Sequence, residues 1–373
     1  MTKTGRSVAA ERVSDRRSFL KTGVMAGGVA TIGAGFVGAS AGRAFAQQSN
    51  TSLNKGDIAI LRFLAAAEIL ESDLWQQYTE LGGVTEGTQN NYQLALQFLD
   101  GDGSQYITSN TTDEISHWTF LNAYLETKGA EPVDLSEFKT LTGSTASGAA
   151  QDTQRLTNLM HLDVDTSWYI RYRSTKNPDF GATFPQAIKI NNRTAIPRTD
   201  ADFEDANHIQ AIANTAAFHF GMIEQGGSSL YQALSQKVSS LEVLKITMGI
   251  GGDEIAHFLE WVDFAGNAVQ GPPFNFQNSQ TPVTDKGLTF PNFNTAPGGP
   301  LFQTNLIFPV PCEFISKDLP HCAVIRPSDD KFAGAQAAVQ ALTNDNLFAG
   351  QSAGFFKALK QLAADADAAT REL

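Results

Sequence analysis

Apolar residues recur every three to four positions in four long stretches of the chain, a period that predicts helices. From Gly56 to about Tyr78 they fall at Ile60, Leu61, Leu64, Ala67, Ile69, Leu70, Leu74 and Trp75, with no proline between. A short helix over Asn91–Leu99 precedes the Asp-Gly-Asp-Gly turn at 100–103. The next long helix is predicted from Ser104 to Lys128, stopping at Gly129, with Phe120, Leu121, Tyr124 and Leu125 on its packing side. Two more are predicted from about Asp202 to Leu234 and from Leu241 to Phe264. Glycines 249, 251 and 252 lie inside the last one, where they mark either a bulge or a close approach of a neighbouring helix.

The pattern is weaker elsewhere. Residues 130–200 form a long connector: 151–172 reads as a further helix, and 174–199, with Pro178, Pro185 and Pro197, reads as loop. Residues 268–328 are rich in Pro, Asn, Gly and Phe and read as an extended wrap or short strands. Two terminal helices are expected over Asp330–Leu342 and Ala349–Leu373.

Several charged residues sit within the apolar stripes, where they are costly unless they pair or coordinate something. Asp113-Glu114-Ile115-Ser116-His117 and Asp253-Glu254-Ile255-Ala256-His257 spell the same Glu-x-x-His twice, each followed by an aromatic residue, Trp118 or Phe258. Three residues turn a helix by about 300°, so each glutamate and its histidine stand about 60° apart on one face and can hold one metal ion. The first helix offers Glu68 or Glu71, and the third offers Glu224. In chain order this is Glu, Glu-x-x-His, Glu, Glu-x-x-His. Carboxylate oxygen with imidazole nitrogen suits Fe or Mn better than copper(I) or a structural zinc. Asp113 and Asp253 stand either as hydrogen-bond partners of a ligand histidine on another helix or as solvated positions.

On these residues the chain resembles the ferritin-like superfamily, and within it the secreted group that includes desiccation-related proteins. The resemblance covers roughly 56–128 and 202–266. It implies an all-α, four-helix bundle with one long crossover, here 130–200, and a site for two divalent metal ions, Fe or Mn. The implied ligands are Glu68, Glu114, His117, Glu224, Glu254 and His257. In the family pattern an aromatic residue follows the ligand by seven positions. Glu224 has Tyr231, while Glu68 with Trp75 and Glu71 with Tyr78 both fit. The fuller match of Glu68 favours it, with Glu71 as the alternative.

The first 46 residues change the picture of where the protein works. Arg16-Arg17-Ser18-Phe19-Leu20-Lys21, a Gly-rich weakly apolar stretch and Ala44-Phe45-Ala46 resemble a cleaved twin-arginine export signal. That implies a periplasmic or secreted protein, with the twin-arginine translocase as a partner during export. The body is then 47–266 as the bundle and 267–373 as a C-terminal extension. The whole chain has a net charge of −12. Seven basic and two acidic residues lie in the leader, so 27 and 39 become 20 and 37, a net charge of −17. Such a surface repels nucleic acid and anionic lipid. The leader's glycine and alanine content argues against stable membrane insertion.

Cys312 and Cys322 are the two cysteines, and in an oxidising compartment a disulfide between them is expected. With no others, zinc ribbons and all-thiolate iron–sulfur sites are excluded. His208 and His219 read as core or surface histidines, His161/Asp163/Asp165 as a surface hydrogen-bonding group, Trp168-Tyr169 as packing and His321 as incidental. No phosphate loop or nucleophile elbow stands before a helix. Three functions remain. The first is an exported di-metal oxidoreductase acting on peroxide or dioxygen. The second is a non-catalytic metal-binding or stress- and desiccation-protection protein. The third is a structural bundle without metal. A homo-oligomer is compatible with each.

Overall fold

The computed structural model describes residues 52–84, 90–174, 184–268, 282–291, 309–312, 315–325 and 333–372. The export signal read over 1–46 lies outside them. Four long helices form the frame: α1 (Lys55–Gly82), α3 (Gly103–Thr127), α5 (Ala206–Ser235) and α6 (Leu241–Gly266), with α2 (Asn91–Leu99) between the first two. The most extensive packing is α1 on α3 and α5 on α6. The connector between the two pairs is the long crossover of a ferritin-like bundle. Helix starts follow local polar chemistry. Asn54 accepts from Asp57 N at 2.7 Å, Asn90 and Gln93 form a reciprocal capping box, and Asp205 accepts from His208 N at 2.8 Å.

The crossover departs from the expectation of a helix over 151–172. It holds two short antiparallel pairs, β1 (Leu141–Thr142) with β2 (Gln154–Arg155) and β3 (Leu162–Val164) with β4 (Ile190–Arg193). Within 151–172 only Trp168–Arg171, α4, is helical. Side chains on the bundle compete for its backbone. Asp73 accepts from Leu156 N and Thr157 N, both at 3.0 Å, and holds that stretch extended. Asp163 accepts from Asn192 N at 2.5 Å and Asn346 Nδ2 at 2.9 Å, while Asp165 pairs with Arg171 at 3.0 Å. These carboxylates serve the fold.

Residues 51–373 form one compact unit, so the C-terminal extension belongs to the body of the protein. The hairpin β5 (Thr284–Asp285) with β6 (Leu288–Thr289) precedes two helices, α7 (Ala335–Asn344) and α8 (Ala353–Asp367). Helix α8 packs on α1, and Asp367 accepts from Ala335 N and Gln336 N at the start of α7. Near the same end, where Lys237 Nζ also donates to the Asp367 carbonyl at 2.8 Å, Asp57, buried in the first turn of α1, accepts from Ser239 N (2.8 Å) and Ser240 N (2.9 Å). Among the described residues no helix is long and apolar enough to cross a membrane.

The expected Cys312–Cys322 disulfide is not formed; both are free thiols. Cys322 exchanges backbone hydrogen bonds with Val310, at 3.0 and 3.1 Å, so the two cysteines are offset by two residues across the strand bridge. Cys312 is buried, Cys322 exposed, and the carbonyl of Cys312 is taken by the turn through Ile315 N and Ser316 N.

Candidate metal centre

Each long helix delivers one glutamate to the same level of the bundle. Glu68 comes from α1, Glu114 from α3, Glu224 from α5 and Glu254 from α6, and none is more than 1 % exposed. His117 and His257 stand one helical turn on from Glu114 and Glu254 and are also buried. The six side chains fall into two overlapping groups, Glu68/Glu114/His117/Glu254 and Glu114/Glu224/Glu254/His257, in each of which the candidate ligand atoms lie within 4.8 Å of one another. Glu114 and Glu254 belong to both groups, as carboxylates shared by two ions would. Glu71 is in neither. It is half-buried and lines an apolar gap between α1, α5 and the C-terminal helices.

The histidines present Nδ1 inward. His117 Nδ1 lies 3.1 Å from Glu114, 3.3 Å from Glu68 and 3.6 Å from Glu254. His257 Nδ1 lies 3.2 Å from Glu114 and 3.4 Å from Glu224. Each Nε2 points out of the site to the aspartate before the other motif. His117 Nε2 stands 3.2 Å from Asp253, and His257 Nε2 stands 3.4 Å from Asp113. The duplicated Asp-Glu-Ile-x-His is thus a reciprocal device: each copy supplies a glutamate, a histidine and the outer partner of the other copy's ring. A proton on Nε2 leaves Nδ1 with its lone pair facing the carboxylates.

Protonation shows how unsatisfied this cluster is by itself. Burial, followed by the charge of Glu68, pushes the Glu114 carboxyl up to about 8. Burial and the neighbouring glutamates raise Glu254 well above the carboxylate range. Glu68 moves the other way: burial opposes it, but the hydrogen bond and charge of His117 hold it below its ordinary value. Although burial works against the imidazolium, Glu114 and Glu68 raise His117 to about 11, and Glu224 leads the groups that raise His257. Protons here do the work of cations. Even so, Glu68 Oε2, Glu114 Oε1, Glu224 Oε2, both oxygens of Glu254 and His257 Nδ1 are buried without an aligned hydrogen bond, although imidazole Nδ1 atoms stand 3.2–3.6 Å from four of these oxygens. Such orphaned atoms are rare in folded proteins, and here they converge on one spot.

Residues that periodicity did not single out complete the site. A Cβ on Gly227 would lie 2.1 Å from Glu254 Oε2, so only glycine leaves room for that carboxylate. Gly251 is where α6 meets α5 closely, since a Cβ there would lie 2.7 Å from Tyr231 Cβ. Gly249 and Gly252 face open space, and the helix runs through all three without a bulge. The Tyr231 hydroxyl donates to Glu68 Oε1. One amide edge of Asn110 lies 3.3 Å from Glu224 Oε1 and 3.0 Å from Trp261 Nε1. Tyr231 was visible in sequence as the aromatic seven residues after Glu224, though nothing there showed its bond to a different helix. Of the remaining histidines, His208 lies between Asp202 (3.0 Å) and Asp285 (2.9 Å), while His161 faces Asn192 and His321 is exposed.

A profile of the ferritin-like domain family matches residues 56–259, more than half of the chain. No curated protein and no solved structure matched the chain.

Proposed function

Because this chain belongs to the ferritin-like domain family, we propose that its six-residue cluster binds two divalent metal ions, Fe or Mn. The observation that carries this is the pair of four-residue groups sharing Glu114 and Glu254, with buried oxygens that form no aligned hydrogen bond. Glu68 and His117 would hold one ion, Glu224 and His257 the other, with Glu114 and Glu254 between them. Four carboxylates offset the charge of two dications, and the imidazoles then serve as neutral ligands. Asp113 and Asp253 orient those rings by accepting from Nε2. When bound, such a pair supplies two adjacent redox centres, suited to peroxide or dioxygen as substrate.

The chain's own contribution is order and exclusion. Tyr231 fixes Glu68 through its hydroxyl, and Gly227 fixes the space for Glu254. The aromatic layer of Trp75, Phe220 and Trp261 beneath the ligands keeps water out on that side. The leader supports an exported setting, in which folding before translocation would load Fe or Mn ahead of copper or zinc, consistent with the affinity order of divalent metals.

The test is metal content after purification and after anaerobic loading. Wild-type protein should carry about two ions per chain, and Glu114→Gln with Glu254→Gln should carry none. The metal-free double variant should melt at or above the metal-free wild type, because it removes carboxyls whose ionisation burial opposes, an effect of a few kcal/mol near neutral pH. A structural bundle without metal predicts unchanged metal content and is the outcome that would sink the reading. Peroxide or oxygen consumption by the same loaded sample then separates a redox enzyme from a metal-binding protective protein.

A further inference from the structure

A second buried polar group lies deeper in the bundle and takes no part in ligation. The Tyr78 hydroxyl is 2.8 Å from His219 Nδ1, and His219 Nε2 stands 3.0 Å from Asp345 Oδ2, an ion-pair contact outside aligned hydrogen-bond geometry. Three separate elements supply them: α1, α5 and the end of α7. Tyr78 and His219 are fully buried, and Asp345 is 1 % exposed. Placing three polar groups in a core is costly unless each answers another. A core that needed only packing would put apolar residues there.

The other side of Tyr78 is aromatic. Its ring centroid lies 5.7 Å from that of Trp75 and 4.6 Å from that of Phe220, and Trp75 stacks on Trp261 at 5.4 Å. Trp75 is two helical turns from Glu68, about 10 Å along α1, and Trp261 is one turn from His257. Tyr78 therefore joins a chain of contacting π systems, which leads back toward the carboxylate–histidine cluster, to a histidine backed by a carboxylate. Asp345 at the far end lines a cleft of about 710 Å³ between β3, β4 and α7.

We propose that Tyr78 is a redox-active tyrosine, with His219 as its proton acceptor and Trp75 as its electronic contact toward the metal centre. On oxidation, Tyr78 loses one electron through Trp75 to a one-electron oxidant. Its O–H bond breaks as the proton passes to His219 Nδ1, where an N–H bond forms. The result is a neutral tyrosyl radical beside an imidazolium that faces Asp345, and no charge is left alone in the core. The oxidant is reduced by one electron, and return of an electron with the same proton restores the tyrosine. Geometry assigns the roles: a phenol O–H can donate to Nδ1 when the neutral ring carries its proton on Nε2, the atom facing Asp345. Burial also raises the phenol well above its ordinary pKa, so release of the proton to water before the electron leaves is disfavoured. That the oxidant arises at the metal pair, from peroxide or dioxygen, rests on the function proposed above; the redox competence of Tyr78 does not.

The test uses metal-free full-length protein, so that it stands whether or not the cluster binds metal. A ruthenium photosensitiser with a sacrificial acceptor supplies the one-electron oxidant, and rapid-freeze EPR with transient absorption reads the product. Wild type should give a long-lived tyrosyl radical, Tyr78→Phe should lose it, and His219→Gln should shorten its lifetime. Fluorotyrosine placed at position 78 keeps the ring and hydroxyl and should change the hyperfine pattern, which covers a Tyr78→Phe variant that folds poorly. An unchanged EPR spectrum in both Tyr78 substitutions, or no tyrosyl signal when tryptophan radicals show that oxidation succeeded, overturns the proposal. A group that merely anchors α7 would lower the melting temperature of His219→Gln without affecting radical lifetime, and that result also overturns it. A sensitiser-driven signal, with none on adding peroxide to loaded protein, supports Tyr78 and counts against the metal pair as its oxidant.

Discussion

Gly227 and Tyr231 act on the site from one face of α5 without being candidate ligands. Gly227 gives Glu254 its room, and an alanine there would place Cβ 2.1 Å from a carboxylate oxygen that has no space to withdraw without leaving the shared position. Gly227→Ala should therefore lower metal affinity while keeping the helix, at a stability cost of about 1–3 kcal/mol from overpacking. Metal titration and urea denaturation of the same variant check the two halves, and unimpaired metal binding would show that Glu254 does not occupy this position when loaded. Tyr231→Phe tests the opposite contact. It removes the hydroxyl that donates to Glu68 and leaves the carboxylate short of a donor in the core. The metal-free protein should lose roughly 1.5–3 kcal/mol, the range for a hydrogen bond to a charged group. Equal denaturation midpoints for variant and wild type would contradict that bond.

At the scale of elements, the helices that carry the cluster were legible because their signals are local. Period, caps and turn residues placed α2 at its observed limits and α1, α3, α5 and α6 within a few residues of theirs. The convergence of Glu68, Glu114, His117, Glu224, Glu254 and His257 could be expected because a repeated Glu-x-x-His on helices needs one common interior to make its burial tolerable. The crossover was not legible, since its 151–172 segment is held extended by Asp73 and by contacts across 83 and 84 residues of sequence, which no local period records. Nor could spacing reveal that Cys312 is offset by two residues from Cys322, because the strand bridge sets their register. The partnership of Tyr78, His219 and Asp345 was hidden for the same reason: three ordinary residues from three elements carry no joint signature. Asp57 shows how much one such long-range contact holds. Asp57→Ala would strip two backbone N–H groups at the α5–α6 turn of their acceptor, with only water to replace it. The expected cost is about 2 kcal/mol, with faster amide exchange confined to residues 237–243. Uniform exchange across the chain would argue against a local role.

For the whole molecule, the metal-free protein should prefer mild acidity. Glu114 has a folded-state pKa of about 8 against an ordinary 4.5, so its folded form holds a proton that the unfolded chain releases. The stability linked to that proton is complete below about 4.5 and is lost as pH rises through 8. His117, raised to about 11 from 6.5, acts in the same direction at higher pH: its contribution is full below 6.5 and fades toward 11. Glu68, held below its ordinary value, acts oppositely, and its contribution is lost only as pH falls through its folded pKa, below 4.5. Between pH 5 and 9 the first two effects dominate, so the melting temperature of chelator-treated protein should fall with rising pH. Metal binding reverses the balance, because the ions replace the protons on the same atoms and gain affinity as those protons leave. Stabilisation by metal, RT ln(1 + [L]/Kd), should therefore widen as pH rises. Melting curves taken in parallel with chelator and with Mn²⁺ measure that gap. Surface repulsion in a chain of net charge −12 also grows with pH, so metal-free Glu114→Gln is the necessary reference, and its curve should be flatter than that of wild type. A metal-free wild type that tracks this variant across the range would mean that the cluster is not held protonated, and that the carboxylates are reached by water. A gap between the two that closes on adding Mn²⁺ would tie the titration to the atoms that orphaned buried oxygens single out as ligands.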